Sequence, residues 1–323
     1  MVGDGSVCIL GLGLIGGSLL RAAVSVGREA FGYNRSPQTV EAARADGYDA
    51  DTDLIAVLDR ATAAGSLIVL ATPVTAAGPM LDAIAEHASD APLTDVISVK
   101  AQVASMVAER GLTARFVGGH PMAGTAVSGW GATDPELFRG ATWAVATDDD
   151  ADPQVWSAVA DLALEVGSVV VPVGTDAHDA AVAAISHLPH LTAAATAAVG
   201  GQAGDLALRL AAGSFRDGTR VAGTAPALQR AMLEANRESL AAALDQTIEL
   251  LAAARTELTE AGTVAGLVEA GHTARLRYDQ IAGAGAPSIT VAVGSDDWPR
   301  RMRIEAQRGS VWRGAQMRSA RPE

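Results

Sequence analysis

A histidine sits between glycines and a proline in Gly118-Gly119-His120-Pro121-Met122-Ala123-Gly124, downstream of Asp95-Val96-Ile97-Ser98-Val99-Lys100. Glycine permits unusual backbone angles and close ligand approach. Pro121 pushes His120 toward an extended conformation, so this stretch is not helical. An imidazole pinned at a strand end suits proton transfer near neutral pH, which makes His120 the candidate general base. Ser98 could hold or orient it. Lys100, the single lysine of the chain, could contact a cofactor or a substrate anion.

A second group of chemically capable residues lies further on. His187-Leu188-Pro189-His190 interrupts an otherwise apolar helical stretch. The two histidines are either core residues or a metal pair by their spacing, but no third ligand accompanies them, so no metal is expected. Arg216-Asp217-Gly218-Thr219-Arg220 offers two guanidinium groups, either of which could clamp a carboxylate bidentately. The alternative is an interhelical loop in which these arginines pair with nearby acids.

A third signal is Gly11-Leu12-Gly13-Leu14-Ile15-Gly16, a G-x-G-x-x-G turn between an apolar run and an amphipathic helix. Gly11 would allow the tight turn, Gly13 the approach of a pyrophosphate, and Gly16 close helix-to-strand packing. Leu14 and Ile15 open a helix whose free N–H groups favour phosphate. This is the fingerprint of a dinucleotide-binding Rossmann unit. Asn34-Arg35-Ser36 ends the second strand, where an NAD enzyme usually carries an acidic residue for the ribose 2′-hydroxyl. Asn34 removes the charge that would repel a 2′-phosphate, while Arg35 and Ser36 could bind one. The cofactor is therefore expected to be NADP or NAD, with NADP favoured. Thr72-Pro73 closes the fourth strand and should border the cofactor.

These residues need a frame. Strands are expected at 6–10, 30–34, 66–72, 95–99, 116–119, 141–147 and 169–173, with helices between most of them. Alternating strands and helices predict an α/β fold, an N-terminal doubly wound parallel sheet. After Gly174 the strand signals nearly vanish. Long Ala- and Leu-rich stretches (176–199, 205–212, 226–255, 264–281) predict a C-terminal all-helical domain. The expected division is 1–174 for dinucleotide binding, 175–285 for substrate binding and dimerisation, and 286–323 as linker and Arg-rich tail. A helix over 226–255 would be roughly 45 Å long at 1.5 Å per residue, and such a rod usually packs on other helices. A homodimer through this domain is the expected assembly. The tail, with seven Arg against four acids, is expected to be solvated and partly disordered.

Composition narrows the partners. A net charge of -13 argues against nucleic acid or an anionic membrane surface. Cys8 is the sole cysteine, which excludes a disulfide framework. The N-terminus lacks a basic signal-peptide start, and the most apolar segments (6–20 and 179–200) are interrupted by Gly or His. No membrane span and a cytoplasmic location are expected.

Taken together, four segments resemble the prephenate/arogenate dehydrogenase family of tyrosine biosynthesis. They are Gly11-Leu-Gly-Leu-Ile-Gly-Gly-Ser18, Asp95-Val-Ile-Ser-Val-Lys100, Gly119-His-Pro-Met-Ala-Gly124 with Ser128-Gly129 and Leu137-Phe-Arg-Gly140, and Ser186-His-Leu-Pro-His190 with Phe215-Arg-Asp-Gly-Thr-Arg220. They occur in the family's order over about residues 6 to 280. The resemblance implies oxidation of a cyclohexadienyl alcohol coupled to loss of its ring carboxylate, with prephenate as substrate and arogenate as the alternative. It implies that His120 takes the hydroxyl proton, that Ser98 aligns it, and that Arg220 grips a substrate carboxylate. His187 and His190 would line the pocket, His190 being the better candidate. Three departures stand out. Ala126 replaces a frequent Glu, Gln229 stands where some prephenate enzymes have Trp, and Asn34 replaces the usual Asp. Two rivals are a β-hydroxyacid or imine dehydrogenase and a non-catalytic NADP(H) sensor. The first expects a lysine in the helical domain, which has none. The second expects a missing base or clamp.

Overall fold

The computed structural model describes residues 5–125 and 127–314. Ala126 and the last nine residues, with the Arg318 and Arg321 of the tail, lie outside them. The chain divides into two compact units, Met1–His178 with Pro287–Glu323, and Asp179–Ala286.

The first unit runs β1 (Val7–Leu10), α1 (Leu14–Ser25), β2 (Ala30–Tyr33), α2 (Pro37–Ala45), β3 (Ala50–Asp51), α3 (Leu54–Ala64), β4 (Leu67–Leu70), α4 (Ala77–His87), β5 (Leu93–Asp95), α5 (Ala101–Ala108), β6 (Phe116–Val117), β7 (Gly119–Pro121), β8 (Thr142–Ala146), α6 (Pro153–Glu165) and β9 (Val169–Val173). Six strands form one parallel sheet in the order β3-β2-β1-β4-β5-β6. The central strands β1 and β4 are buried along their whole length, as expected where helices cover both faces. Helix starts follow local chemistry. Ser36, Asp53 and Asp152 each accept a hydrogen bond from a first-turn amide, and Pro37 and Pro153 follow two of these caps.

The remaining strands depart from a single doubly wound sheet. β7, β8 and β9 form a second, three-stranded sheet, with β7 antiparallel and β9 parallel to β8. The expected strand over 116–119 is two short strands in different sheets, and the expected strand over 95–99 lies at 93–95 instead. Both changes have one cause. A Cβ on Gly119 would lie 2.8 Å from the Asp95 carbonyl oxygen, and one on Gly118 would lie 3.2 Å from Lys100 Cδ. The bare backbone can therefore pass tightly over the end of β5 and leave the first sheet.

The C-terminal segment corrects the expectation of a solvated tail, as far as residue 314. The helix Trp298–Gln307 belongs to the first unit, and Ile289, Val291, Trp298, Met302 and Trp312 join its core. Trp156 packs edge-on against Trp298 and Trp312, with ring centroids 5.5 and 5.6 Å away. The Trp312 amide donates to the Val170 carbonyl at 2.9 Å. The arginines are the polar face of this helix: Arg303 pairs with Asp149 at 2.7 Å and Arg300 with Asp297 at 3.1 Å.

The boundary falls inside the helix that follows β9. That helix comprises α7 (Thr175–Val182), a π turn (Ala183–His187) and α8 (Leu188–Gln202). Pro189 therefore does not break it. The wider turn just before Pro189 accommodates a ring that cannot donate to the helical ladder. Among the described residues, Thr175–Gln202 is long and apolar enough, by length and composition alone, to cross a membrane, a test that a core helix also passes. The second unit continues with α9 (Asp205–Leu210), α10 (Gly213–Thr219), α11 (Pro226–Ala235), α12 (Arg237–Ala261) and α13 (Ala265–Gly283), and α14 is the Trp298–Gln307 helix. The expected single rod over 226–255 is broken at Asn236, whose ψ of 35° leaves the helix. Its buried side chain donates to the Asp179 carbonyl at 2.8 Å instead. Leu233 and Leu240, either side of the break, pack with Ala183 and, at the edge, Leu188 and Leu191.

Candidate active site

The glycine turn after β1 has the geometry that its spacing suggests. Gly11 has a φ of +111°, a value that L side chains rarely adopt. A Cβ on Gly16 would lie 1.9 Å from the Gly11 carbonyl oxygen, so α1 can approach the turn only with glycine there. Gly13 is the opposite case: nothing lies within 4 Å of where its Cβ would be. It is the N-cap of α1, and no side chain caps the helix. The amides that open α1 at Leu14 and Ile15 are thus offered to a ligand beside an open approach. Thr72 adds a buried hydroxyl oxygen with no hydrogen-bond partner among the described residues, just past the end of β4 beside Gly11. These features fit a dinucleotide pyrophosphate. Pro73 is exposed at the same edge.

At the end of β2, the Asn34 side-chain oxygen accepts from the Ser36 amide at 3.0 Å. Ser36 Oγ caps α2 and donates to Gln38. Arg35 is exposed between them.

His120 lies in β7, paired with Ala144 of β8. Its Nδ1 is 2.9 Å from Nε2 of His178, and the rings meet edge-on with centroids 5.1 Å apart. His178 is 3% exposed and sits one turn into α7. Asp148 fixes that turn by accepting from the Thr175 amide at 3.0 Å and the Thr175 hydroxyl at 2.6 Å. Ser98 is half-buried on the loop after β5.

Lys100 corrects the sequence expectation. Its side chain is 2% exposed, and its ammonium is ion-paired with the fully buried Asp95 and donates to the Gly119 carbonyl at 2.7 Å. A cation so committed is not offered to a cofactor or substrate anion. Asp95 also accepts from the amides of Ile97 (3.0 Å) and Gly119 (3.2 Å). Burial pushes its carboxyl above the ordinary range, while Lys100 and these amides draw it back. The pair ties the end of β5 to the residue before His120.

In the helical unit, His190 and Arg220 come together. Burial and then the charge of Arg220 hold the His190 imidazole below its ordinary range, and Gln229 Nε2 lies 3.2 Å from His190 Nδ1. His187 differs from its expected role. It is 0% exposed, with Nδ1 3.2 Å from the Asn236 amide nitrogen, so it holds the π turn to the helix break. Arg216 is also separated from Arg220 in kind: its side chain is 80% exposed and pairs with its neighbour Asp217.

Residues 19–172 match the family model for the nucleotide-binding domain of prephenate dehydrogenase, and residues 174–270 match the one for its dimerization domain. The chain belongs to the prephenate dehydrogenase family. A prephenate dehydrogenase of Bacillus subtilis is 32% identical over 261 residues, 78% of this chain and 69% of that protein. A Corynebacterium glutamicum structure, provisionally described as a prephenate dehydrogenase, is 44% identical over 96% of this chain and 98% of its own, with a TM-score of 0.91. The arogenate dehydrogenase of Synechocystis is 30% identical over 84% and 99%, with a TM-score of 0.73. Prephenate dehydrogenase of A. aeolicus, in complex with hydroxyphenyl propionate and NAD+, is 26% identical over 86% and 98%, at 0.76.

Membership makes this prephenate dehydrogenase relative a nicotinamide-dependent oxidoreductase. The first family match begins after the glycine turn, so the case for dinucleotide binding at Gly11–Gly16 rests on the turn's own geometry. Sequence reading missed His178, Asp148 and Asn236. His178 carried one usable signal: it follows the strand Val169–Val173 by one helical turn, at the edge where ligands of α/β sheets bind.

Proposed function

We propose that the protein oxidises and decarboxylates prephenate to 4-hydroxyphenylpyruvate. The observation that carries this reading is His120, held in an extended strand at the carboxyl edge of the dinucleotide unit, with a second imidazole on its Nδ1. That contact leaves Nε2 as the atom to take the ring hydroxyl proton. A bound nicotinamide would supply the hydride acceptor. As hydride leaves the carbinol carbon and the proton passes to His120 Nε2, the ring carbon gains carbonyl character. The ring carboxylate then departs as carbon dioxide, its bonding electrons completing the aromatic ring, and the proton returns to the phenolate oxygen. Ser98 aligns the hydroxyl. Arg220 grips a substrate carboxylate beside a neutral His190.

Asn34 and Arg35 support NADP over NAD, because the β2 end carries no acid to repel a 2′-phosphate. The protein works as a homodimer through its helical unit, a reading supported by the dimerization-domain match and by exposed Leu206, Leu210, Leu251 and Leu258 on that unit. A second reading, oxidation of arogenate, is supported by the similarity to the Synechocystis enzyme. The test is absorbance at 340 nm with each substrate and each dinucleotide. Turnover of prephenate, faster with NADP, is expected. Turnover of arogenate alone would establish the second reading, and no turnover of either would sink both. His120→Asn should abolish turnover and leave dinucleotide affinity nearly intact.

A further inference from the structure

We propose that His178 is a positioning residue that sets the tautomer of His120. This rests on the reading of His120 as the base. One proton lies between His120 Nδ1 and His178 Nε2, 2.9 Å apart. If His178 donates it, a neutral His120 carries its own proton on Nε2 and cannot accept another there. If His120 donates it, Nε2 keeps its lone pair and is ready for a hydroxyl proton. Only the second arrangement allows base catalysis through Nε2.

The fold builds this pair as a unit. His120 is on β7, which pairs with β8, and β8 pairs with β9, whose end leads into α7. The His178 amide donates to the Gly174 carbonyl at 2.9 Å, and Asp148 pins Thr175 by two hydrogen bonds. A 3% exposed imidazole fixed in this way has little freedom to swing off its partner. In the reaction, the substrate O–H bond breaks and the proton joins His120 Nε2. The Nδ1 proton stays on His120, and its hydrogen bond to His178 strengthens as His120 becomes cationic. His178 therefore acts twice, by selecting the tautomer and by stabilising the imidazolium.

The experiment uses the full-length protein with 15N-labelled histidine, of which the chain has six residues. Nitrogen shifts above the titration range should show His120 protonated on Nδ1 in the wild type. In His178→Leu the protonated nitrogen should change to Nε2 or become mixed. Its kcat should fall about 100-fold, within the range that positioned proton transfer contributes, while KM and NADP(H) affinity stay within about twofold. His178→Gln, whose side-chain oxygen can accept from Nδ1, should recover at least a tenth of the wild-type kcat. Wild-type His120 protonated on Nε2 would overturn the proposal, as would an undiminished kcat in the Leu variant. If the Leu variant does not fold, the wild-type tautomer and the Gln variant still decide. Failure of the base reading shows separately, as persistent turnover in His120→Asn.

Discussion

Lys100 Nζ donates to the carbonyl oxygen of Gly119, the residue immediately before the candidate base, and the same ammonium neutralises Asp95. The only lysine of the chain is thus a structural tie beneath the site. Removing it strands a buried carboxylate. Lys100→Met is expected to lose about 3 kcal/mol of stability, in the range for breaking a buried ion pair from one side. Adding Asp95→Asn should recover part of that loss, because it removes the stranded charge and its one amide oxygen can still accept from one of the two backbone amides that Asp95 holds, Ile97 or Gly119. Urea unfolding of the two single variants and the double variant measures the coupling. Strictly additive losses would contradict the tie.

The glycines of the first turn should separate folding from binding. Gly16→Ala places a methyl where the Gly11 carbonyl oxygen stands, so a stability loss of about 3 kcal/mol or more is expected, at the upper end of overpacking costs. Gly13→Ala meets none of the described residues. Its melting point should scarcely move, while its dinucleotide Kd rises at least tenfold, a change of about 1.4 kcal/mol. Calorimetry and cofactor titration on both variants test the contrast. Equal effects of the two on melting would refute it.

The uneven legibility of this chain follows from what the patterns encode. The turn at Gly11–Gly16 and the strand at Val7–Leu10 are local signals, and the structure places them as the sequence suggests. The His120 segment was legible as chemistry, but its partner His178 lies 58 positions away, and no spacing rule joins them. Lys100 read as a ligand-binding cation because its burial depends on Asp95 and Gly119 meeting across two sheets. The C-terminal segment misled for a related reason. Its arginines dominate the composition, while its apolar residues are too few to show a pattern until Trp156 supplies their partner. Asn236 broke a rod that helical periodicity runs through, since a buried side chain hydrogen-bonding to Asp179 is invisible to periodicity.

The cluster in the helical unit has a pH signature. Burial and the charge of Arg220 depress the His190 imidazole below about 6.5, the ordinary value. The unfolded chain therefore binds that proton first as pH falls. The contribution of His190 to stability is present above the ordinary value and is lost as pH falls toward the depressed one. Arg220→Gln removes the second cause, so the His190 midpoint should rise and the window should narrow. NMR titration of the His190 ring in both proteins reads this directly. A midpoint unmoved by the substitution would mean that the guanidinium is not beside the ring.

The last helix and the strand-like stretch around Trp312 should matter to the first unit. Trp312 is 6% exposed and packs on Trp156. Trp312→Ala is expected to cost about 3–5 kcal/mol, the range for emptying a buried aromatic site. Arg313→Ala, at the polar neighbour, should stay within about 0.5 kcal/mol. Thermal unfolding of both variants distinguishes a core segment from a solvated one, because a solvated segment would tolerate the two changes equally.

Cofactor choice turns on the end of β2. Asn34 accepts from the Ser36 amide through its side-chain oxygen, a bond that an aspartate in its place could also accept. Asn34→Asp therefore keeps the turn and changes only the charge. The new carboxylate can bind a ribose 2′-hydroxyl and repels a 2′-phosphate. The ratio of kcat/KM for NADP to that for NAD should fall at least tenfold, about 1.4 kcal/mol of discrimination. Arg35→Ala should lower the same ratio by weakening NADP alone, since an exposed guanidinium contributes nothing to a ribose that lacks the phosphate. Steady-state kinetics with both dinucleotides decide the matter. If the ratio is unchanged in Asn34→Asp, this residue does not face the ribose, and the preference for NADP loses its physical basis.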